Sequence, residues 1–157
     1  KAQDMLKLSE SEKYEKGKAG ALQTMMAVFE ARSETTELLK TAQEVLNIQQ
    51  KLDDKISVAA TLLKMTQVLC GKADQTSAEG DEGFKKGLEA QKIYKETGNM
   101  MGELHVFTAF VDKHLLKGEK DAALKVAREA VSLCKTESDK MSTSMAFRLK
   151  SKVHVAR

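Results

Sequence analysis

A chain of 157 residues with 26 basic and 23 acidic side chains carries a formal charge of +3 at pH 7, too little to mark a nucleic-acid binder by itself. No window of about eighteen apolar residues is present, so no membrane span is expected. Proline is absent and aromatic residues make up 4%, while Ala, Leu, Lys, Glu and Met are prominent, a composition that favours helix over sheet.

In chain order, apolar residues recur at steps of three and four. The pattern predicts helices over about residues 2–13, 16–31, 34–51, 54–71, 79–97, 100–117, 120–136 and 139–156, and no strands. The first opens on Lys1-Ala2-Gln3-Asp4, with no signal peptide visible and no initiator Met, which reads as a fragment of a longer chain or a processed product. The stretch Gly71 to Asp81 is polar and poor in helix formers and reads as a lengthened loop. At its end, Glu79-Gly80-Asp81-Glu82 reads as a short acidic loop capping the next helix. Thr97-Gly98-Asn99 is the clearest punctuation: Gly suits a left-handed residue closing one helix, and Asn suits the N-cap of the next. Leu52-Asp53-Asp54 and Ser138-Asp139 stand in equivalent places.

The chain also matches itself. Displaced by 40, Ala2 to Leu8 falls on Ala42 to Ile48, and Ala19, Leu22, Met25 and Val28 fall on Ala59, Leu62, Met65 and Val68. From Ile48 to Ile93 the step is 45, and from Ile93 to Leu133 it is 40 again, which sets Ala90 on Ala130 and Phe107 on Phe147. Periods of this length mark stacked helical repeats. Leu22, Met25, Met26 and Phe29, then Leu62, Met65 and Leu69, then Phe107, Phe110, Val111 and His114 form equivalent core stripes. The partner helices carry small residues at recurrent positions: Gly83, Gly87 and Ala90, then Ala123, Ala127 and Ala130.

The run Leu115 to Leu133, with its turn residue Gly118 and the small residues Ala123, Ala127 and Ala130, resembles a tetratricopeptide-repeat array in its longer form of about forty residues per unit. The proline that often closes shorter repeats is missing, Gly83 and Gly87 replace alanines, and Lys150 stands at a normally apolar site. The resemblance implies one all-α domain over residues 1–157: a right-handed solenoid of antiparallel helix pairs, three full pairs flanked by a lone helix at each end. It also implies a concave groove lined by the first helix of each pair. Carried over, that face holds Gln23, Ala27 and Glu30; Leu63, Gln67 and Cys70; His105, Thr108, Asp112 and Leu115; and Met145, Arg148 and Lys152. The family binds peptides or protein segments there. The Asn, Lys and Arg set with which its chaperone-binding members clamp a terminal carboxylate is missing from these positions.

Chemistry of other kinds finds little footing. His105, Thr108 and Asp112 share a helix face, but His105 and Asp112 are two turns, or roughly 10 Å, apart, too far for a catalytic hydrogen bond. No metal-ligand or phosphate-loop spacing occurs, so no cofactor, metal or catalytic residue is assigned. Arg148, Lys150, Lys152 and Arg157 read as a solvated basic end, since steps of two spread charge around a helix. Cys70 and Cys134 read as reduced thiols of a cytoplasmic protein. The expected function is a non-catalytic protein-interaction module without nucleic-acid or membrane partners, with self-association through exposed array ends a further expectation. The alternative is a regulatory or ligand-sensing segment of a larger enzyme or signalling protein.

Overall fold

The computed structural model describes residues 2–71, 77–134 and 140–156. They form seven helices and no strand: α1 (Ala2–Ala31), α2 (Thr35–Lys51), α3 (Lys55–Cys70), α4 (Ser77–Glu96), α5 (Met100–Leu116), α6 (Lys120–Cys134) and α7 (Lys140–Val155). The chain divides into two compact units, Lys1–Thr61 and Leu62–Arg157.

Four helix ends share one device. Ser33, Asp53, Gly98 and Gly118 all have positive φ, between 51° and 72°. At each, two backbone amides fold back onto the closing turn: Asn99 N–H donates to the Tyr94 carbonyl at 2.8 Å and Gly98 N–H to the Lys95 carbonyl at 3.3 Å. The same pair of bonds recurs at Ser33, Asp53 and Gly118, as in a Schellman closure. Asn99 then caps α5 by accepting from Gly102 N–H at 2.9 Å, and Asp54 accepts from Ser57 N–H at 3.1 Å at the start of α3. Ser138-Asp139 lies outside the described residues.

Where that device is missing, the helix does not stop. The two helices expected over about residues 2–13 and 16–31 are one continuous helix, α1. Forty residues before Asp53 and Asp54 stand Lys13 and Tyr14. Neither readily adopts a left-handed turn nor caps a helix, so nothing opposes propagation. Three expected pairs flanked by two lone helices thus become seven helices among the described residues. Gly17 and Gly20 lie inside α1, and a Cβ added at either meets nothing within 4 Å. Gly17→Ala and Gly20→Ala are therefore expected to stabilise the chain by about 0.5–1 kcal/mol each, the helix-propensity difference. A raised urea midpoint at unchanged m-value is the check.

In the first unit α2 packs along α1 and buries Leu38, Ala42, Val45, Leu46 and Ile48. Of the expected α1 stripe, Met26 is buried, Leu22 and Phe29 are half-buried, and Met25 is exposed. Thr61 Oγ1 donates to Gln49 Oε1 at 2.7 Å, satisfying two buried polar groups of α3 and α2.

In the second unit, neighbouring helices meet end to start. Gly83 near the start of α4 touches Leu69 and Cys70 at the end of α3, and Gly102 at the start of α5 abuts the Tyr94 ring at the end of α4. These close approaches explain why glycines stand at positions 83 and 102. The Cβ of an alanine at position 83 would stand 2.7 Å from Leu69 Cβ, and at position 87 it would stand 2.5 Å from Phe110 Cε1. One core cluster joins Leu104, Phe107 and Val111 of α5, Ala123, Ala127 and Ala130 of α6, and Ala146, Leu149 and Val153 of α7. Small residues on α6 let its backbone come close to both neighbours.

The run Glu79-Gly80-Asp81-Glu82 lies inside the first turns of α4 rather than in a loop, because α4 already begins at Ser77. Its carboxylates are used across and along helices. Asp81 pairs with the buried Lys113 of α5 at 3.9 Å, and Glu82 pairs with Lys86 at 3.5 Å. The Lys113 ammonium also lies 4.8 Å from the centre of the Phe84 ring, a cation–π contact that offsets part of its desolvation.

Candidate functional site

The second unit places several of the expected groove residues on one surface. His105, Thr108 and Asp112 share the outer face of α5, and Arg148 and Lys152 share the outer face of α7. The two helices touch along this side. Lys152 Nζ donates to the Asp112 carboxylate, joining residues 40 apart in sequence. That separation equals the 40-residue step at which the sequence matches itself. The pair is half-exposed, so its contribution to stability is small, of the order of 0–1 kcal/mol. Its consequence is for charge: the one acid of this surface is committed to one of its two strong bases.

Thr108 Oγ1 donates to the Leu104 carbonyl at 2.9 Å, so its proton is used within α5 and its oxygen remains an acceptor. His105 is exposed. Leu63 is half-buried and Gln67 exposed on the part of α3 that belongs to this unit. Gln23 and Glu30 are exposed on α1, in the other unit.

Cys70, expected on the groove face, is instead buried beneath α4 against Gly83. The tight α3–α4 approach permitted by that glycine draws its thiol inward, and burial pushes its pKa up. Both cysteines are free thiols. In the last turn of α5, His114 Nδ1 lies 2.6 Å from Glu119 Oε2. That hydrogen bond holds the Glu119 carboxyl below its usual range. Among the described residues no three His, Cys, Asp or Glu side chains cluster as metal ligands would, and no helix is long and apolar enough to cross a membrane.

The face of α5 opposite His105 shows a feature the sequence reading missed. Residues two apart point about 200° apart around a helix, so Glu103 and Phe107 face away from His105. They floor an open cleft of about 610 Å³ between α4 and α6, with Lys92, Lys95 and Glu129 on its rim. Glu103 is only 7% exposed, a charged group brought inward. The one hint of this cleft is Leu88, exposed on α4 beside Lys92 and Lys95, and in the sequence it cannot be distinguished from an ordinary surface leucine.

Searches against protein-family models, curated proteins and solved structures return no match for this chain.

Proposed function

We propose that the chain is a helical-repeat array of the tetratricopeptide kind, acting as a non-catalytic module that binds a peptide or protein segment on the α5–α7 surface. The observation that carries the proposal is the Asp112–Lys152 contact. It joins α5 and α7 side by side, so that His105, Thr108 and Arg148, far apart in sequence, lie on one surface. That surface mixes cations, hydrogen-bonding groups and apolar contacts, and it lacks a large aromatic anchor of the kind that dominates tight interfaces. Affinity is therefore modest. The test uses the intact chain as bait in affinity capture, beside the variant Asp112→Lys with His105→Glu, shown by circular dichroism to stay folded. The variant is expected to lose the partner, and equal capture by both chains would reject the assignment.

A second reading follows from the α4–α6 cleft. Its volume lies within the range of small-molecule sites, which suits a ligand-sensing segment of a larger protein. Under that reading Lys92→Glu with Lys95→Glu abolishes ligand binding, while the α5–α7 variant leaves it intact.

A further inference from the structure

Helix α7 presents two unlike faces. One is spent on the core: Ser142, Ala146, Leu149 and Val153 are buried. The other carries Met141, Met145, Arg148, Lys152 and Val155, at steps of four, three, four and three. That alternation is the spacing by which one helix meets another along its length. Met141 is 72% and Val155 75% exposed, Met145 is half-buried, and Arg148 and Lys152 are exposed. The seam therefore has apolar contacts at both ends and two cations between them.

The charge of α7 is one-signed. It holds Lys140, Arg148, Lys150, Lys152 and His154, and no carboxylate. Asp112 of α5 pairs with Lys152, while Arg148 has no acidic partner among the described residues.

We infer that the outer seam of α7 docks an acidic amphipathic helix, one whose carboxylates face Arg148 and Lys152 and whose apolar residues meet Met141, Met145 and Val155. This rests on the interaction-module reading and names the chemistry of the partner. The seam spans fourteen residue steps, roughly 21 Å at 1.5 Å per residue, so a partner helix of about fifteen residues covers it. Three aliphatic contacts without an aromatic anchor leave much of the attraction to charge, so binding weakens as salt rises. A polynucleotide fits less well, because phosphates call for a longer row of cations than two. An anionic membrane also fits less well, because α7 has already committed its main apolar face to the protein core.

The test is selection from a display library of fifteen-residue helical segments against the intact chain, followed by fluorescence polarisation of the enriched peptides. Single-stranded oligonucleotide and phosphatidylserine vesicles serve as competing probes. Enriched peptides should carry Asp or Glu between apolar residues. They should bind Arg148→Glu at least about tenfold more weakly, bind Arg148→Lys nearly as well as the parent, and weaken with added salt. Arg148 is exposed, so both variants are expected to fold, and circular dichroism checks this. Enriched peptides that are neutral or basic, or that bind Arg148→Glu as tightly as the parent, would overturn the acidic-helix inference and leave the interaction module standing. No enrichment at all would remove both. Tighter, Arg148-dependent binding of oligonucleotide or vesicles would overturn the inference in favour of that ligand.

Discussion

Phe107→Ala is expected to destabilise the second unit by about 3–5 kcal/mol, the usual cost of truncating a buried phenylalanine. The ring is 7% exposed and belongs to the cluster in which α5, α6 and α7 meet. The buried α6 members of that cluster are three alanines and Cys134, short side chains with little reach to fill the space. Its outer edge borders the α4–α6 cleft, so water can reach part of the resulting cavity, which places the effect toward the lower end of that range. Urea unfolding measures it. A loss below about 1 kcal/mol would mean that α5 does not depend on this ring to hold its neighbours.

The second large effect comes from adding one methyl group. Gly87→Ala is expected to cost about 1–3 kcal/mol through overpacking, even though alanine is the better helix former by about 1 kcal/mol. The added carbon would stand 2.5 Å from Phe110 Cε1 and 3.0 Å from Thr66 Cγ2. Phe110 has little room to withdraw, because its ring is 4.4 Å from that of Phe84 and it is itself buried. The same substitution at Gly17 is expected to have the opposite sign. Thermal or urea unfolding of the two variants side by side separates packing from helix propensity. Stabilisation at both positions would show that α4 is not held against α5 as closely as described.

These glycines mark the limit of what the sequence could show. Asn99 and Gly98 were legible because a cap and a left-handed turn are local events, decided by a few neighbouring residues. A self-match at a step of 40 was legible too, and Asp112 and Lys152, 40 residues apart, pair between α5 and α7. Gly83 and Gly87 were visible only as departures from an alanine pattern. Their cause lies in Leu69, Cys70 and Phe110, which reach them through the fold. Continuous α1 was misread for the opposite reason: the repeat implied a break, but Lys13 and Tyr14 supply none of the chemistry of Asp53 and Asp54.

The candidate site divides in the same way. A shared helix face is a matter of spacing, so His105, Thr108 and Asp112 could be grouped from the sequence. The commitment of Asp112 to Lys152 and the burial of Cys70 depend on which helices adjoin, and so does the cleft behind Phe107. Phe147 shows the distinction most plainly. It stands 40 residues after Phe107 and yet is 53% exposed. The α7 face that carries it has Ser144 and Ser151 where α5 has Leu104 and Val111. Phe147 borders Val131 and Cys134 of α6 at one small cavity, and the rest of its ring faces solvent.

The most direct test of binding on the α5–α7 surface is nuclear magnetic resonance mapping of a bound peptide, following backbone amides and methionine methyl groups during a titration. The expected shifts cluster at His105, Thr108, Asp112, Met145, Arg148 and Lys152, with Met141 among the methyl signals and little change along Leu88, Lys92 and Ser132. Shifts confined to those α4 and α6 positions would place binding in the opposite cleft and contradict the assignment.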